Sequence, residues 1–156
     1  MESVSEHFST DHDRLDSLFA EFRALKRKDP PAAKQKFKEF LKGLTRHIVW
    51  EEDVLFPAFE KSGPAAAPGP VSVMRREHRE IKGLLDALHD KVRRADPESD
   101  AEEKELLALL GAHNMKEERV LYPAIDEALG QEGLALARAA MEAIPEERYA
   151  CCCHAR

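Results

Sequence analysis

The sequence predicts an all-α fold, specifically an antiparallel up-down-up-down four-helix bundle with a short extra C-terminal helix. Three observations support this fold class. Leu, Ala, Glu and Lys are abundant while Val and Ile are sparse, which favours helices over sheet. Apolar residues recur at helical spacing in four segments, joined by two short turns and one longer connector. The second half of the chain also repeats the first at a constant offset, so the two halves share one plan.

The first half is expected to supply two helices. The first begins near Thr10, where Thr10 and Asp13 resemble a capping box, and it ends at the Asp-Pro-Pro that follows. The second covers about residues 32–60. Pro57 should kink or loosen its last turns, because proline has no backbone N–H to donate.

The second half is expected to follow the same order. Residues 62–70, rich in Pro, Gly and Ala, would connect the halves. Helices are expected at about 72–95 and 101–129, and an Ala-rich helix at 134–144 would cover one end of the bundle. The predicted domain is thus residues 1–144, with internal repeats at about 4–60 and 72–129, and residues 145–156 would form a flexible tail that contains the three cysteines.

One motif occurs twice and dominates the functional interpretation. His47 and Glu51 form a His-x-x-x-Glu that recurs as His113 and Glu117, 66 residues later. A second pair, His12 and His78, keeps the same 66-residue offset. All of these positions fall on the apolar stripes of the predicted helices, because residues four apart share one helix face.

Buried carboxylates need a compensating partner, and a metal ion would provide one here. Imidazole nitrogen with carboxylate oxygen suits iron, manganese or zinc. Four histidines and two glutamates are too many for one tetrahedral zinc, but they serve two ions if each takes two histidines and both carboxylates bridge. A bridging oxygen from solvent would leave one open position per ion. The six candidate ligands are His12, His47, Glu51, His78, His113 and Glu117.

Other interpretations exist for individual residues. A single histidine on an apolar stripe is more often a core residue than a ligand, and a single His-x-x-x-Glu is commonly a surface pair. Glu52 and Glu118 also repeat, and each could be solvated or could orient a histidine by accepting its other N–H. Joint recurrence of all six sites with one offset favours the metal site.

The doubled motif resembles the hemerythrin superfamily, in particular the bacterial hemerythrin-like or HHE cation-binding domains, over about residues 4–129. Each His-x-x-x-Glu is followed by a second Glu and, after one further residue, by Val-Leu-[Phe/Tyr]-Pro, ending at Pro57 and Pro123. The resemblance implies a non-haem di-iron centre within the bundle, with two iron ions and an oxo or hydroxo bridge; zinc or manganese are alternative metals. It also implies that His12 and His47 serve one ion and that His78 and His113 serve the other.

The sequence departs from the oxygen-carrying members of that superfamily. They place a further histidine one turn from the equivalent of His78, where this chain has Met74 and Lys82. They also use an Asp at the position of Glu118, whereas the internal repeat favours Glu117. The four-His, two-Glu set is similar to that of iron–sulfur-cluster repair proteins and of relatives acting on nitric oxide or peroxide. Those repair proteins usually carry an additional N-terminal Cys-containing segment, which this sequence does not show.

Charge and composition limit the partners. A net charge of −6 argues against a nucleic-acid surface, which would need a basic face. No apolar run approaches the roughly 18 residues of a membrane span, and the N-terminus shows no apolar secretion signal. The three adjacent cysteines are no disulfide framework, so a cytoplasmic location is expected. The expected partner is a small diatomic ligand or peroxide, bound by a monomer or homodimer.

The predicted function is that of a di-iron protein which binds or reduces dioxygen, nitric oxide or peroxide in stress response or iron-centre repair. The alternative is an iron or oxygen sensor, or an iron-donating accessory protein, that acts through a partner without turnover. Two other classes lack their motifs: no His-Glu-x-x-His of a zinc protease occurs, and no Glu-x-x-His of a ferritin-like site precedes the candidate histidines.

Overall fold

The computed structural model describes residues 2–63 and 69–150, and within these ranges the chain is helical with no strand. Single π-helical turns at Glu51–Leu55 and Glu117–Leu121 lie within the second and fourth predicted helices. A 3₁₀ turn at Glu146–Tyr149 ends the described part. The α-helices are α1 (Val4–Leu25), α2 (Pro30–Trp50), α3 (Phe56–Lys61), α4 (Gly69–Arg93), α5 (Asp100–Lys116) and α6 (Tyr122–Glu142).

Helix α1 begins six residues before the predicted start at Thr10. Its N-cap is Ser3, whose hydroxyl accepts from the backbone N–H of Glu6 at 3.1 Å, while the Glu6 carboxylate accepts from the Ser3 N–H at 3.2 Å. Asp126, far away in sequence, also accepts from the N–H of Val4. The earlier start therefore has a physical cause, because the first N–H groups of α1 all find acceptors.

Where the sequence predicted a kinked or loosened helix around Pro57, the structure has a π turn just before this proline, and a second π turn at the equivalent place of the other half. The Phe56 N–H bonds to the carbonyl of Glu51, five residues back, and the Tyr122 N–H bonds likewise to the carbonyl of Glu117. Each turn thus adds one residue to an otherwise α-helical path. The second and fourth predicted helices are interrupted at equivalent places of the repeat, at a ligand candidate in both cases.

The C-terminal part differs in detail from the predicted pattern. Helix α6 continues to Glu142 across Gly130, whose φ of 60° and ψ of −178° are not helical. Glycine tolerates this positive φ because it has no Cβ. Since helix lies on both sides of Gly130, a separate C-terminal helix stays a prediction. Tyr149, assigned from sequence to the flexible tail, is buried and accepts a hydrogen bond from Trp50 Nε1 at 2.7 Å, and the cysteines lie outside the described residues.

The long helices bury two apolar clusters, and the polar centre lies between them. Along α1, the order is Phe8, His12, Leu15: the phenylalanine belongs to one cluster, the leucine to the other, and the histidine separates them. The same order holds on α4, where Met74, His78 and Ile81 follow one another. The centre is therefore enclosed by apolar side chains at both ends.

Helices α1 and α2 pack closely along their length. Phe22 contacts Phe37, Phe19 contacts Phe40, and further along the pair Gly43 lies against Leu15. Residues further along α1 contact residues nearer the start of α2, as expected for antiparallel neighbours. The up-down-up-down order of the whole bundle stays a prediction. Within the described ranges, no helix has the length and apolar character needed to cross a bilayer.

Candidate metal centre

The structure brings all six predicted ligand residues together in the interior. Each of them is less than 5% exposed, and Glu51 and Glu117 are fully buried. Among the described residues they form two groups whose donor atoms lie within 4.8 Å of one another. One group contains His12, His47 and Glu117; the other contains Glu51, His78, His113 and Glu117. The grouping matches the expected pairing of histidines, while binding of metal by these residues is a proposal.

Each glutamate lies between imidazoles of both groups. Glu51 Oε1 is 3.3 Å from His47 Nε2 and 3.5 Å from His78 Nε2. Glu117 Oε1 is 3.2 Å from His113 Nε2 and 3.4 Å from His12 Nε2. A carboxylate placed in this way can bridge two ions. Four histidines and two glutamates can serve two ions in this manner.

Glu52 and Glu118 contact the outer nitrogens of two histidines, which decides between their two sequence interpretations. Glu118 Oε1 lies 2.7 Å from His12 Nδ1, and Glu52 Oε1 lies 3.0 Å from His78 Nδ1. Each acid thus serves a histidine of the other half of the repeat. A carboxylate there accepts from Nδ1–H and leaves the Nε2 lone pair facing the centre.

Sequence reasoning missed two further acids of the same kind. Asp11 Oδ2 accepts from His47 Nδ1 at 2.9 Å, and Glu77 Oε1 lies 3.7 Å from His113 Nδ1. Asp11 and Glu77 are also 66 residues apart, so the repeat offset could have found them. Every imidazole of the centre has an acidic neighbour on its outer side.

The pKa shifts reflect this arrangement. Burial raises the pKa of Asp11, but hydrogen bonding to His47 and attraction to it outweigh burial and lower that pKa from 3.8 to about 2. Burial lowers the pKa of His47. His12 has a raised pKa, because hydrogen bonds to Glu117 and Glu118 overcome the effect of burial. The Asp11 carboxylate is therefore charged at neutral pH, and the proton between Asp11 and His47 stays on the imidazole.

The pKa values of the two central glutamates shift in opposite directions. Burial, followed by the charge of Glu117, raises the pKa of Glu51 well above its ordinary value. For Glu117, hydrogen bonds with Glu51, His113 and His12 outweigh burial and hold its pKa well below 4.5. Two carboxylates this close share a proton unless a cation lies between them.

Several buried polar atoms support a cation between these groups. His12 Nε2 and His47 Nε2 face each other at 3.2 Å, although each outer nitrogen already donates to a carboxylate. Within the described part of the chain, Glu51 Oε1, His78 Nε2 and Glu117 Oε2 are buried without a hydrogen bond. Buried lone pairs without donors are costly, and a metal ion would satisfy them. The residues present fit a di-metal centre.

Tyr122 is a further polar group at the centre that sequence reasoning did not identify. Its hydroxyl lies 3.1 Å from Glu51 Oε2 and 3.0 Å from Glu117 Oε1. Burial and the two carboxylates raise the pKa of Tyr122 well above 10, so the hydroxyl keeps its proton when no cation is bound.

Apolar rings and one cavity complete the surroundings. Phe8 packs edge-on against His47, with ring centroids 4.8 Å apart, and Phe56 stacks on His78. Beside His12 and Glu118, between α1 and α5, lies a surface cavity of about 390 Å³. The two other histidines of the described residues lie elsewhere: His89 contacts Phe37, and His7, within α1, stacks on Trp50.

Comparison with known proteins agrees with this geometry. Residues 3–125 match the family described as the hemerythrin HHE cation binding domain. Relatives named iron-sulfur cluster repair protein YtfE also match. The protein from Cronobacter sakazakii is 40% identical over 58 residues, 37% of this chain and 26% of that protein. The one from Edwardsiella ictaluri is 44% identical over 45 residues, 29% of this chain and 20% of the relative. That of Escherichia coli O1:K1 is 32% identical over 89 residues, 51% and 40% of the two chains.

These alignments cover less than half of each curated relative. No solved structure matches the chain significantly. The family match, by contrast, extends from the N-cap of α1 into the first turn of α6 and includes both copies of the motif. The chain belongs to the hemerythrin HHE cation-binding domain family.

Proposed function

We propose that the chain is a non-haem di-iron protein that binds or reduces a small ligand: dioxygen, nitric oxide or peroxide. One observation carries this proposal most directly. Glu51 and Glu117 each lie between an imidazole of one group and an imidazole of the other, with lone pairs directed inwards. Nitrogen and oxygen donors in this mixture suit iron, with zinc or manganese as the other candidates.

In this proposal the four histidines would hold the ions through Nε2, and the two glutamates would be shared between the ions. His12 and His47 would serve one ion, and His78 and His113 would serve the other. The iron pair would supply electron transfer to or from the bound small molecule. The outer carboxylates keep the Nδ1 atoms of His12, His47 and His78 protonated and these rings fixed. Phe8 and Phe56 limit water at the centre.

We infer a role in stress response or iron-centre repair from the relatives, which are named as iron–sulfur cluster repair proteins. Their activity comes to this chain only as a proposal, because the alignments cover 20% to 40% of their length. A cytoplasmic location and an antiparallel up-down-up-down bundle with an extra C-terminal helix belong to the same proposal. The reversed pairing of α1 and α2 supports the antiparallel order.

The test is metal content together with the response of the optical spectrum to small ligands. We expect about two irons per chain in protein purified without added metal, and absorption changes on exposure to oxygen, peroxide or nitric oxide. Glu51→Gln keeps the side-chain shape but removes the bridging charge, so most of the iron should be lost. Glu105→Gln, on the exposed side of α5, is the matched control and should keep both irons. Full iron content in Glu51→Gln would contradict the proposal.

A further inference from the structure

The hydroxyl of Tyr122 occupies a central position that hydrogen bonding alone does not explain. Besides its contacts with Glu51 and Glu117, it lies 3.1 Å from His47 Nε2 and 3.3 Å from His12 Nε2. Four donor atoms of the candidate centre thus surround one phenolic oxygen. Three belong to the group of His12, His47 and Glu117, and the fourth is the bridging Glu51.

These four neighbours are all acceptors. His12 and His47 each give the Nδ1 proton to an outer carboxylate, so their Nε2 atoms carry lone pairs in the neutral ring. The two glutamate oxygens carry lone pairs as well. One hydroxyl has one proton and can satisfy one of the four, and a proton shared by the glutamates satisfies one more. The remaining lone pairs, together with those of the phenolic oxygen, converge without a donor, which is the environment that a cation requires.

The spacing agrees with donors around a single ion. With metal–ligand distances of roughly 2.1 Å, neighbouring donors in an octahedral complex lie about 3 Å apart. The Tyr122 oxygen is 3.0 to 3.3 Å from its four neighbours, and His12 Nε2 is 3.2 Å from His47 Nε2. The phenolic oxygen is therefore positioned as a donor of the same ion as these two histidines.

The other half of the repeat lacks this oxygen. Phe56 is the counterpart of Tyr122 at the 66-residue offset, and its ring stacks on His78 at 5.9 Å with an 11° angle between the planes. Both residues follow the π turn, and both donate their backbone N–H to the preceding ligand glutamate. The two metal positions thus share one scaffold and differ by one hydroxyl.

We propose that Tyr122 is a seventh protein ligand, bound as phenolate to the ion held by His12 and His47 and not to the other ion. The inference rests on the proposed di-metal centre. Binding replaces the O–H bond of Tyr122 by an oxygen–metal bond, and the phenolic proton is released to solvent without any change in oxidation state. The ion supplies the positive charge that makes the phenolate stable in this buried place. The two ions are consequently inequivalent, one with an additional anionic oxygen.

Ferric-loaded full-length chain provides the test. We expect a phenolate-to-iron charge-transfer band in the visible spectrum, with phenolate vibrations in the resonance Raman spectrum. Tyr122→Phe should lose both signals while keeping two irons, because phenylalanine already serves at the equivalent Phe56. The chain contains only one other tyrosine, so Tyr149→Phe is the matched control and should keep both signals.

Zinc binding gives a second readout without redox chemistry. Calorimetric titration with Zn²⁺ in buffers of different ionisation enthalpy should show that the wild type releases one more proton per chain than Tyr122→Phe. If Tyr122→Phe fails to fold, the Tyr149→Phe variant can be made with ring-deuterated tyrosine, since Tyr122 is then the one labelled residue. The phenolate Raman bands should shift if Tyr122 is the ligand.

The outcomes separate this inference from the proposed function. A chain that binds no metal would overturn both. Two bound ferric ions without a phenolate band, or a band that survives Tyr122→Phe, would overturn the assignment of Tyr122 alone. Equal proton release from the wild type and Tyr122→Phe would overturn it as well.

Discussion

Each imidazole of the centre has acids on two sides, a glutamate near its inner nitrogen and an acid near its outer nitrogen, and for His12, His47 and His78 the outer acid is within hydrogen-bond distance. His12 shows both contacts, with Glu117 at 3.4 Å and Glu118 at 2.7 Å. Adjacent residues of one π turn therefore perform different tasks, Glu117 facing the centre and Glu118 facing a partly exposed rim. At the scale of residues, the placement of the imidazoles depends on acids on both sides of the ring and not on the histidines alone.

We expect Glu118→Ala to weaken metal binding about 10- to 100-fold, because His12 loses the acceptor that fixes its tautomer and orientation. Competition with a chelator of known affinity measures this change. Glu52→Ala should weaken the other position by a similar factor, since Glu52 holds His78 in the same way. Glu105→Ala is the control, and equal affinities for all three variants would contradict a role of the outer acids.

A second residue-scale prediction concerns pH. Hydrogen bonds from Lys26 and Arg27 lower the pKa of Asp100 from 3.8 to about 2. Because the folded-state pKa is below the unfolded value, Asp100 stabilises the fold above about pH 4 and loses this effect as the pH falls towards about 2. Asp100→Asn should therefore be less stable than the wild type at neutral pH, and the difference should shrink in acid.

Urea unfolding of the metal-free chain between neutral pH and about pH 3 measures the Asp100 effect. Glu98→Gln is the control, since Glu98 is 81% exposed and 3.8 Å from Arg27. Its stability should stay within about 0.5 kcal/mol of the wild type. A constant difference between Asp100→Asn and the wild type at all pH values would contradict the linkage.

At the scale of elements, the π turns determine which side chains reach the centre. Each turn begins at a ligand glutamate and ends one residue before the aromatic side chain that packs at the centre, Phe56 or Tyr122. The extra residue rotates the following helix relative to a continuous α-helix by about 100°. The same insertion in both halves explains how the ligands and the aromatic ring converge from one chain segment.

Deletion of Arg119 should convert the second π turn into a regular helical turn. The rotation would move Leu121, Tyr122 and Ile125 away from the core, at a cost on the order of 5 kcal/mol for two or three buried side chains. We expect lower stability and loss of iron, measured by thermal unfolding and metal analysis. Arg119→Ala keeps the chain length at this exposed position and should change stability by less than about 0.5 kcal/mol. Retention of stability and iron by the deletion would contradict a structural role of the turn.

At the scale of the whole molecule, the two apolar clusters enclose the polar centre, and burial of its charged groups between them costs free energy. The centre is buried between them, so Glu51 and Glu117 have no access to water. Bound ions would compensate the buried charges and couple metal binding to folding.

We expect removal of the metal to lower the melting temperature. A ligand present at about a thousand times its dissociation constant contributes about 4 kcal/mol, which corresponds to roughly 8–16 °C for a domain of this size. Thermal unfolding before and after chelation, with metal removal verified by elemental analysis, measures the shift. Reloading with iron is the control and should restore the original value; an unchanged melting temperature would contradict the coupling.

The sequence by itself determined the repeat, the all-helical class and the six residues that meet at the centre, because helical spacing places His47 with Glu51 and the 66-residue offset carries the pattern into the second half. Only the tertiary structure decided which acid holds which histidine, since Glu118 reaches His12 across 106 positions of sequence. It also decided the contact of Asp126 with the start of α1 and the position of the Tyr122 hydroxyl, whereas the Ser3 and Glu6 capping box that begins α1 is a local pattern. Periodicity is a property of one helix, whereas these contacts depend on how helices are placed against each other, which local sequence does not specify.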